Sequence, residues 1–299
     1  MDNKIYDDYI LAGKIAEKAR EYGTSLLRQD ASLFDIAEKV ESKILEQGAN
    51  LAFPVNISIN EIAAHFSPRT GDKLTLKKGD VVKLDLGAHI NGYIADTAIT
   101  VEVGSNNYTN MIEASSKALE NVIDFIKPKV GLFEVGKIVE DTIKSYGFKP
   151  ISNLTGHSLE RYVLHAGKSV PSVSELSYNS KLKIDDVLAI EPFATNGAGQ
   201  VLTGAGSNIY LCKNTFNPRL IRYNREKIMY KRTKEIFKTL PFAHRWFEKQ
   251  FSNSDILLKK LTFLGLIKHY PQLIDANKGI VTQKEHTVII NDEGCEVIT

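Results

Sequence analysis

The alternation of apolar and polar residues is sharpest between Val81 and Val103, VVKLDLGAHINGYIADTAITVEV, and it predicts a β-hairpin. The Asn91-Gly92 pair at its centre suits a two-residue type I′ turn, in which both positions need positive φ. Placing Ile90 opposite Tyr93 pairs His89 with Ile94, Gly87 with Asp96 and Asp85 with Ala98. One face then carries Lys83, Asp85, Gly87, His89, Asp96 and Thr100, and the other Val82, Leu84, Leu86, Ala88, Tyr93, Ala95, Ile99 and Val101. Asp85 and Asp96 become diagonal neighbours, roughly 5–8 Å apart at Cβ. Two carboxylates so placed repel each other unless one is protonated or a cation bridges them. The hairpin alone fits either that arrangement or a surface pair bathed in water.

Helical periodicity flanks the hairpin on both sides. Apolar positions at Ile10, Leu11, Ile15, Ala19, Leu26 and Leu27 predict a helix over residues 7–29. A second runs from Ser32, a good N-cap, to Gln47, with Gly48 as its stop. Residues 51–68, LAFPVNISINEIAAHFSP, read as irregular. After Asn110 the order recurs: helices over Met111–Lys127 and Glu134–Tyr146, a stop at Gly147, an irregular stretch over 153–171 and a strand over Asp186–Ala194.

The recurrence has a register. LFDIAEKVESKILEQGA at 33–49 overlies LFEVGKIVEDTIKSYGF at 132–148, an offset of 99 that matches Glu41 to Glu140 and Gly48 to Gly147. Farther on, KKGDVVKLDLGA overlies KIDDVLAIEPFA, which sets Asp85 on Glu191, and His65 falls near His165. We read an internal duplication: an α/β (α+β) fold of two helix–helix–strand halves around a shared sheet with approximate two-fold symmetry.

Between Asn217 and Ile280 the chain departs from both halves. Helical pieces are expected at Asn224–Lys238, Phe242–Phe251 and Ser254–His269. From Arg219 to Lys249 there are ten Lys/Arg against three Glu, which reads as a solvated helical face in preference to an RNA-binding one. QKEHTVIIN then returns to strand character, followed by a turn at Asp292–Gly294 and a short closing strand. The expected organisation is a catalytic domain over 1–217 and 276–299 and a helical insertion over 218–275.

With 43% hydrophobic and 25% charged residues the chain can bury a sizeable core. A net charge of +2 is too small to argue for nucleic acid or membrane as the main partner. Cys212 and Cys295 have no ligand-like spacing, and the N-terminus is acidic where a signal peptide would be basic and then apolar. A cytoplasmic protein is expected. Five residues on or beside strands form an oxygen-rich ligand set: Asp85, Asp96, His157, Glu191 and Glu285. Such a set suits Mn²⁺, Fe²⁺ or Co²⁺ better than a thiolate zinc site does. A lone histidine such as His157 is more often a satisfied structural residue than a ligand.

Four of these segments, DLGAHINGYIADTA, NLTGHSLERYVLHAGKSVP, AIEPFAT and QKEHTVII, resemble the motifs of the methionine aminopeptidases. The helical segment ahead of Glu285 is similar to the insertion of the type 2 subfamily, and the chain resembles its compact archaeal form. The resemblance runs from about Tyr9 to the C-terminus. It implies the pita-bread fold, which a duplication would produce, and two divalent ions per chain (Co, Mn, Fe or Zn). Asp96 and Glu285 would bridge the ions, Asp85 would hold the second, and His157 with Glu191 would complete the first. Metal-bound hydroxide would attack the carbonyl of an N-terminal methionine, with Glu191 shuttling the proton. His65 would contact the following amide nitrogen and His165 the developing oxyanion. Phe53, Leu164 and Tyr270 would line the methionine pocket. His89 receives no role.

The implied activity is removal of initiator methionine from nascent chains and Met-peptides when the second residue is small. The implied form is a monomer, without specific DNA or membrane partners, and with a transient ribosome contact through the basic insertion. Three other readings compete. Prolidases and X-Pro aminopeptidases share fold and ligands but carry a domain ahead of the catalytic one, and only about eighty residues precede Asp85. A non-catalytic relative of the fold would not need all five ligand positions. A phosphate-gripping kinase hairpin would need a second Asp-x-Gly hairpin, which VLTGAGSN does not supply.

Overall fold

The computed structural model of the chain describes residues 1–213 and 224–299. The expected boundary at 217/218 and the basic residues Arg219 and Arg222 lie outside the described residues. The first half comprises α1 (Asn3–Leu26), α2 (Leu33–Glu46), β1 (Asn50–Ile59), β2 (Ile62–Ala64), β3 (Val81–Ile90) and β4 (Tyr93–Glu102). The second comprises α3 (Thr109–Phe125), α4 (Leu132–Ser145), β5 (Lys149–Pro150), β6 (Thr155–Ser158), β7 (Ser169–Pro171), β8 (Val187–Ile190) and β9 (Phe193–Thr195). Then follow β10 (Val201–Cys212), α5 (Asn224–Phe237), β11 (Phe242–Ala243), α6 (His244–Gln250), α7 (Ser254–Phe263) and β12 (Ile267–Asp275). The chain closes with β13 (Val281–Gln283), β14 (His286–Ile290) and β15 (Cys295–Val297).

The offset of 99 holds at both ends of one helix pair: α2 spans 33–46 and α4 spans 132–145. Both are stopped the same way, by Gly48 at φ 87° and Gly147 at φ 83°, values that favour glycine. Each half packs its helices on its own strands around its own core. One core is built on Ala16, Ile36, Val40, Leu84 and Leu86, and the other on Ala118, Val122, Val139, Leu188 and Ile290. A third cluster gathers Tyr230, Phe242, Phe247, Leu258, Leu261 and Ile267 from the segment between the halves and the closing strands.

The β3–β4 register matches the one read from the Asn-Gly turn, with Ile90↔Tyr93, Gly87↔Asp96 and Asp85↔Ala98. The hairpin is not at the surface, however. Lys83 is 0% exposed and Asp96 3%, and Asp85 is half-buried, so the aspartate pair does not lie on an open surface. Its burial comes from the meeting of the halves. Sheet β1-β3-β4 and sheet β15-β14-β8-β6-β7 join at the bridge Ala98↔Glu285. Three threonines sew the junction. Thr287 Oγ1 donates to the Asp96 carbonyl and accepts from the Asp96 amide (2.8 Å each), Thr100 Oγ1 makes the same pair of bonds with Gln283 (2.7 and 2.8 Å), and Thr97 Oγ1 donates to the Glu285 carbonyl (3.0 Å).

Several expectations need correction. Residues 51–68 contain β1 and β2; β1 is buried on both faces, so its alternation is lost, and its pairing with β3 shifts register around Pro54, which has no N–H to give. The stretch 153–171 holds the short strands β6 and β7. The strand over 186–194 is interrupted at Glu191-Pro192. The helix expected to reach His269 ends at Phe263, where Gly265 at φ 71° turns the chain into β12.

Candidate metal centre

The junction of the halves brings the acids together. Asp85 lies mid-way along β3, Asp96 on β4 faces the second half, Glu191 follows β8 directly and Glu285 precedes β14. His157 sits on β6, whose neighbour β8 carries Ala189 opposite it. All ten residues named from the sequence (Phe53, His65, Asp85, Asp96, His157, Leu164, His165, Glu191, Tyr270 and Glu285) line one pocket of about 520 Å³, part of it open to solvent.

At its floor the donor atoms converge. His157 Nε2 stands 3.7 Å from Asp96 Oδ2 and 3.8 Å from Glu191 Oε1. Asp96, His157 and Glu285 each offer an atom within 4.8 Å of the others. Burial pushes the Asp85 carboxyl up to about 7. It also raises Asp96, Glu191 and Glu285 well above the usual carboxylate range, and the neighbouring acids push them further the same way. Burial and then His165 press the His157 imidazole down to about 3, so it is a neutral ligand at neutral pH. Asp85 Oδ1 and Asp96 Oδ1 are buried without a hydrogen-bond partner. Orphaned anionic oxygens facing a neutral imidazole are what a divalent cation requires, and the residues present fit one.

A second group of similar chemistry shows the contrast. His244, Glu248 and Asp255 also place ligand atoms within 4.8 Å of one another. There Arg69 already supplies the cation, its Nη2 2.6 Å from Asp255 Oδ1 and 3.2 Å from His244 Nε2. Among the described residues no comparable guanidinium bonds to the five carboxylate and imidazole groups of the pocket floor; Arg20, whose charge acts on Glu285, spends its bonds on Thr97 and His286.

His65 and His165 both line the pocket. His65 has φ 65°, an uncommon state for a non-glycine residue, and its ring meets Tyr270 edge-on at 5.2 Å. Burial, then His165, lowers it to about 4. The His165 ring is tilted 57° to that of His157, centroids 4.4 Å apart, and burial followed by Lys268 holds it below its ordinary value. Both imidazoles are therefore neutral at pH 7, with one N–H each. Phe53, Leu164, Tyr270, Ile209 and Pro241 form the apolar wall.

One polar residue of the floor escaped the sequence reading. Gln283, 1% exposed, donates its amide to Glu191 Oε2 (3.2 Å) and Glu285 Oε2 (3.3 Å), so it orients one acid from each end of the set. It sits two residues before Glu285, and that spacing in extended chain puts both on one face, a signal present in QKEHTVII. Gln283→Leu should leave both carboxylates without this donor and weaken metal affinity about 10–100-fold. Calorimetric titration of the metal-free protein with Mn²⁺ or Co²⁺ checks it; unchanged affinity would show that Gln283 does not orient the ligands.

Residues 8–220 match metallopeptidase family M24. The methionine aminopeptidase of Methanocaldococcus jannaschii is 46% identical over 299 residues, all of both chains. Among solved structures, a thermophilic Arx1 superposes with a TM-score of 0.86 at 17% identity, covering all of this chain and 91% of that one. The methionine aminopeptidase of Thermotoga maritima does so with a TM-score of 0.71 at 20% identity, covering all of this chain and 97% of that one. At those identities the two structures speak for the fold alone.

Proposed function

The chain belongs to metallopeptidase family M24 and, within it, to the methionine aminopeptidases, and from that premise we propose that it removes N-terminal methionine from peptides and nascent chains by metal-dependent hydrolysis, on a pita-bread scaffold. The observation that carries the reading is the pair of buried, partnerless aspartate oxygens opposite a neutral histidine, in a pocket whose other wall is apolar. Asp85, Asp96, His157, Glu191 and Glu285 would hold two divalent ions, drawn from Mn, Fe, Co or Zn. When bound, the ions supply Lewis acidity, which lowers the pKa of a water and polarises a carbonyl oxygen.

The chain's own groups divide the remaining work. Phe53, Leu164 and Tyr270 hold the thioether side chain in the apolar half of the pocket, which fixes the scissile carbonyl toward the acids. Glu191, held by the Gln283 amide at Oε2 and with Oε1 3.8 Å from His157 Nε2, is the group that takes a proton from water and returns it to the leaving amine. His65 offers its neutral ring to the amide nitrogen after the methionine. His165 donates an N–H to the oxygen that becomes negative as the carbonyl carbon turns tetrahedral. The reading includes a preference for a small second residue. The cytoplasm, where nascent chains are made, is the compartment this activity implies; among the described residues no helix is long and apolar enough to cross a membrane.

A screen of Met-X and X-Pro peptides with metal-loaded and metal-stripped protein tests the activity. Methionine should be released from Met-Gly peptides only with metal, and X-Pro peptides should be left intact; the reverse would place the chain among the prolidases. His165→Ala should lower kcat about 10²–10³-fold with little change in KM, as loss of an oxyanion donor does. An effect confined to KM would reassign His165 to substrate binding.

A further inference from the structure

His89 shares the polar face of the hairpin with the two aspartates and touches no part of the metal centre; it points to the turn instead. Its Nδ1 accepts the Gly92 N–H at 3.1 Å, and its ring meets Tyr162 edge-on with centroids 5.4 Å apart. Tyr162 packs against the turn. A Cβ on Gly92 would come within 2.4 Å of the Tyr162 ring, so the close approach requires glycine there. The Tyr162 amide donates to the Gly92 carbonyl at 2.8 Å, and Arg161 Nε donates to the Asn91 carbonyl at 2.9 Å. The whole tip of the hairpin is thus tied to the loop that follows β6.

That loop carries His165 and Leu164. Its ends are pinned, since Leu159 N–H donates to the Val187 carbonyl at 2.9 Å and Ala166 N–H to the Ser158 carbonyl at 2.8 Å. Its middle is a tight turn closed by the reciprocal Glu160–Val163 bonds of 3.0 and 2.9 Å. Tyr162, at φ 58°, stands at the apex of that turn. From its other side, Thr239 of the segment joining α5 to β11 donates its hydroxyl to the Tyr162 carbonyl, and Lys238 Nζ lies 5.1 Å from the Tyr162 ring centroid. Two residues beyond Tyr162 is Leu164 and two beyond Thr239 is Pro241, and both line the catalytic pocket.

We infer that Tyr162 is a positioning residue for hydrolysis: wedged between the Asn91-Gly92 turn and the Lys238-Thr239 segment, it fixes the loop that aims His165 at the reacting carbonyl. The wedge makes the helical insertion part of the catalytic geometry. It also gives His89 its place, as the group that orients the turn on which Tyr162 rests. The inference rests on the role proposed for His165, and it is distinguishable from it because it concerns how the two residues are coupled.

The test is a double-mutant cycle on the metal-loaded enzyme with a Met-Gly peptide. Tyr162→Ala should lower kcat about ten-fold with KM within about two-fold, since misplacing a catalytic group acts on the transition state. Tyr162→Phe should restore the rate, because the hydroxyl takes no part in these contacts. In a His165→Ala background Tyr162→Ala should cost nothing further, the signature of residues acting as a unit. Thr239→Val, which removes one hydrogen bond, should lower kcat roughly three-fold and likewise lose its effect without His165; it decides the question if Tyr162→Ala does not fold. Multiplying effects of Tyr162 and His165, or a normal rate for both Tyr162→Ala and Thr239→Val, would overturn the inference. If His165→Ala itself acts only on KM, the oxyanion role falls while the cycle still decides the coupling.

Discussion

Asp96→Asn should abolish methionine release while leaving the metal-free protein as stable as before or more so. The two halves of that expectation have one cause. Asp96 is crowded by other acids: burial, then Asp85 and Glu191, pushes its carboxyl well above the usual range, so its charge is a liability in the absence of cations. An amide of the same shape removes that repulsion and keeps the backbone bonds to Thr287, which belong to the main chain of Asp96. What it loses is the anionic oxygen Oδ1, which has no protein partner to lose. Wild-type protein should gain stability when metal is added, about 2.7 kcal/mol at a hundred-fold excess over Kd, and the variant should gain much less. Denaturant midpoints with and without Mn²⁺, metal content of the purified protein and peptide turnover form the measurement. Unchanged turnover would remove Asp96 from the site, and a metal-free variant much less stable than wild type would show that the carboxylate is structural.

The features readable in the sequence were those with a local cause. An Asn-Gly turn fixed the hairpin register residue by residue, and with it the diagonal placement of Asp85 and Asp96. The offset of 99 holds at both ends of α2 and α4, and the glycine stop is kept in both, although α4 starts at Leu132, ahead of the expected Glu134, and has Gly131 where α2 has the Ser32 cap. What could not be read were features made by distant chain. β1 hides its period because both of its faces are covered, and Pro54 breaks its register. The burial of the hairpin depends on the threonine junction to residues 283–287, almost two hundred positions away. Gln283 was within reach by its two-residue spacing from Glu285, yet its partner Glu191 is set only by the fold.

The charge count of the insertion is the most instructive failure. Lys227, Lys231, Arg232 and Lys249 are exposed, as a solvated face requires. Arg245, counted with them, is 0% exposed. It reaches across to the first half, where Nε donates to Glu38 Oε1 at 3.0 Å, Nη1 to Ser67 Oγ at 2.7 Å and Nη2 to Glu41 Oε1. Glu41 in turn accepts the Trp246 indole N–H at 2.7 Å and the Val55 amide at 3.1 Å. Net charge over a window counts a buried, fully bonded arginine the same as a solvated one; only the partner two hundred residues earlier distinguishes them.

Arg245→Met should therefore be the most destabilising single change in the segment, at about 3–5 kcal/mol, because it leaves Glu41 buried with no cation. Burial already pushes the Glu41 carboxyl up, and Arg245 is the strongest influence holding it down. Without the guanidinium the acid must take up a proton or draw in water, and the stability lost should grow as pH rises from the ordinary glutamate value to the raised pKa of Glu41, where the folded state holds a proton that the unfolded chain has released, and level off above it. Glu41→Leu combined with Arg245→Met should recover most of the loss, since an apolar pair has no charge to desolvate. The recovery should not extend to substrate binding. Val55, whose amide Glu41 holds, adjoins Pro54 and Asn56 of the pocket wall, and α6 follows directly on the strand after Pro241. Removing the clamp frees both walls, so KM for a Met-Gly peptide should rise several-fold in the double variant while kcat changes less. Urea unfolding at two pH values and steady-state kinetics on the three variants separate these outcomes; a double variant no more stable than Arg245→Met would show that packing of the guanidinium, and not its charge on Glu41, holds the insertion to the first half.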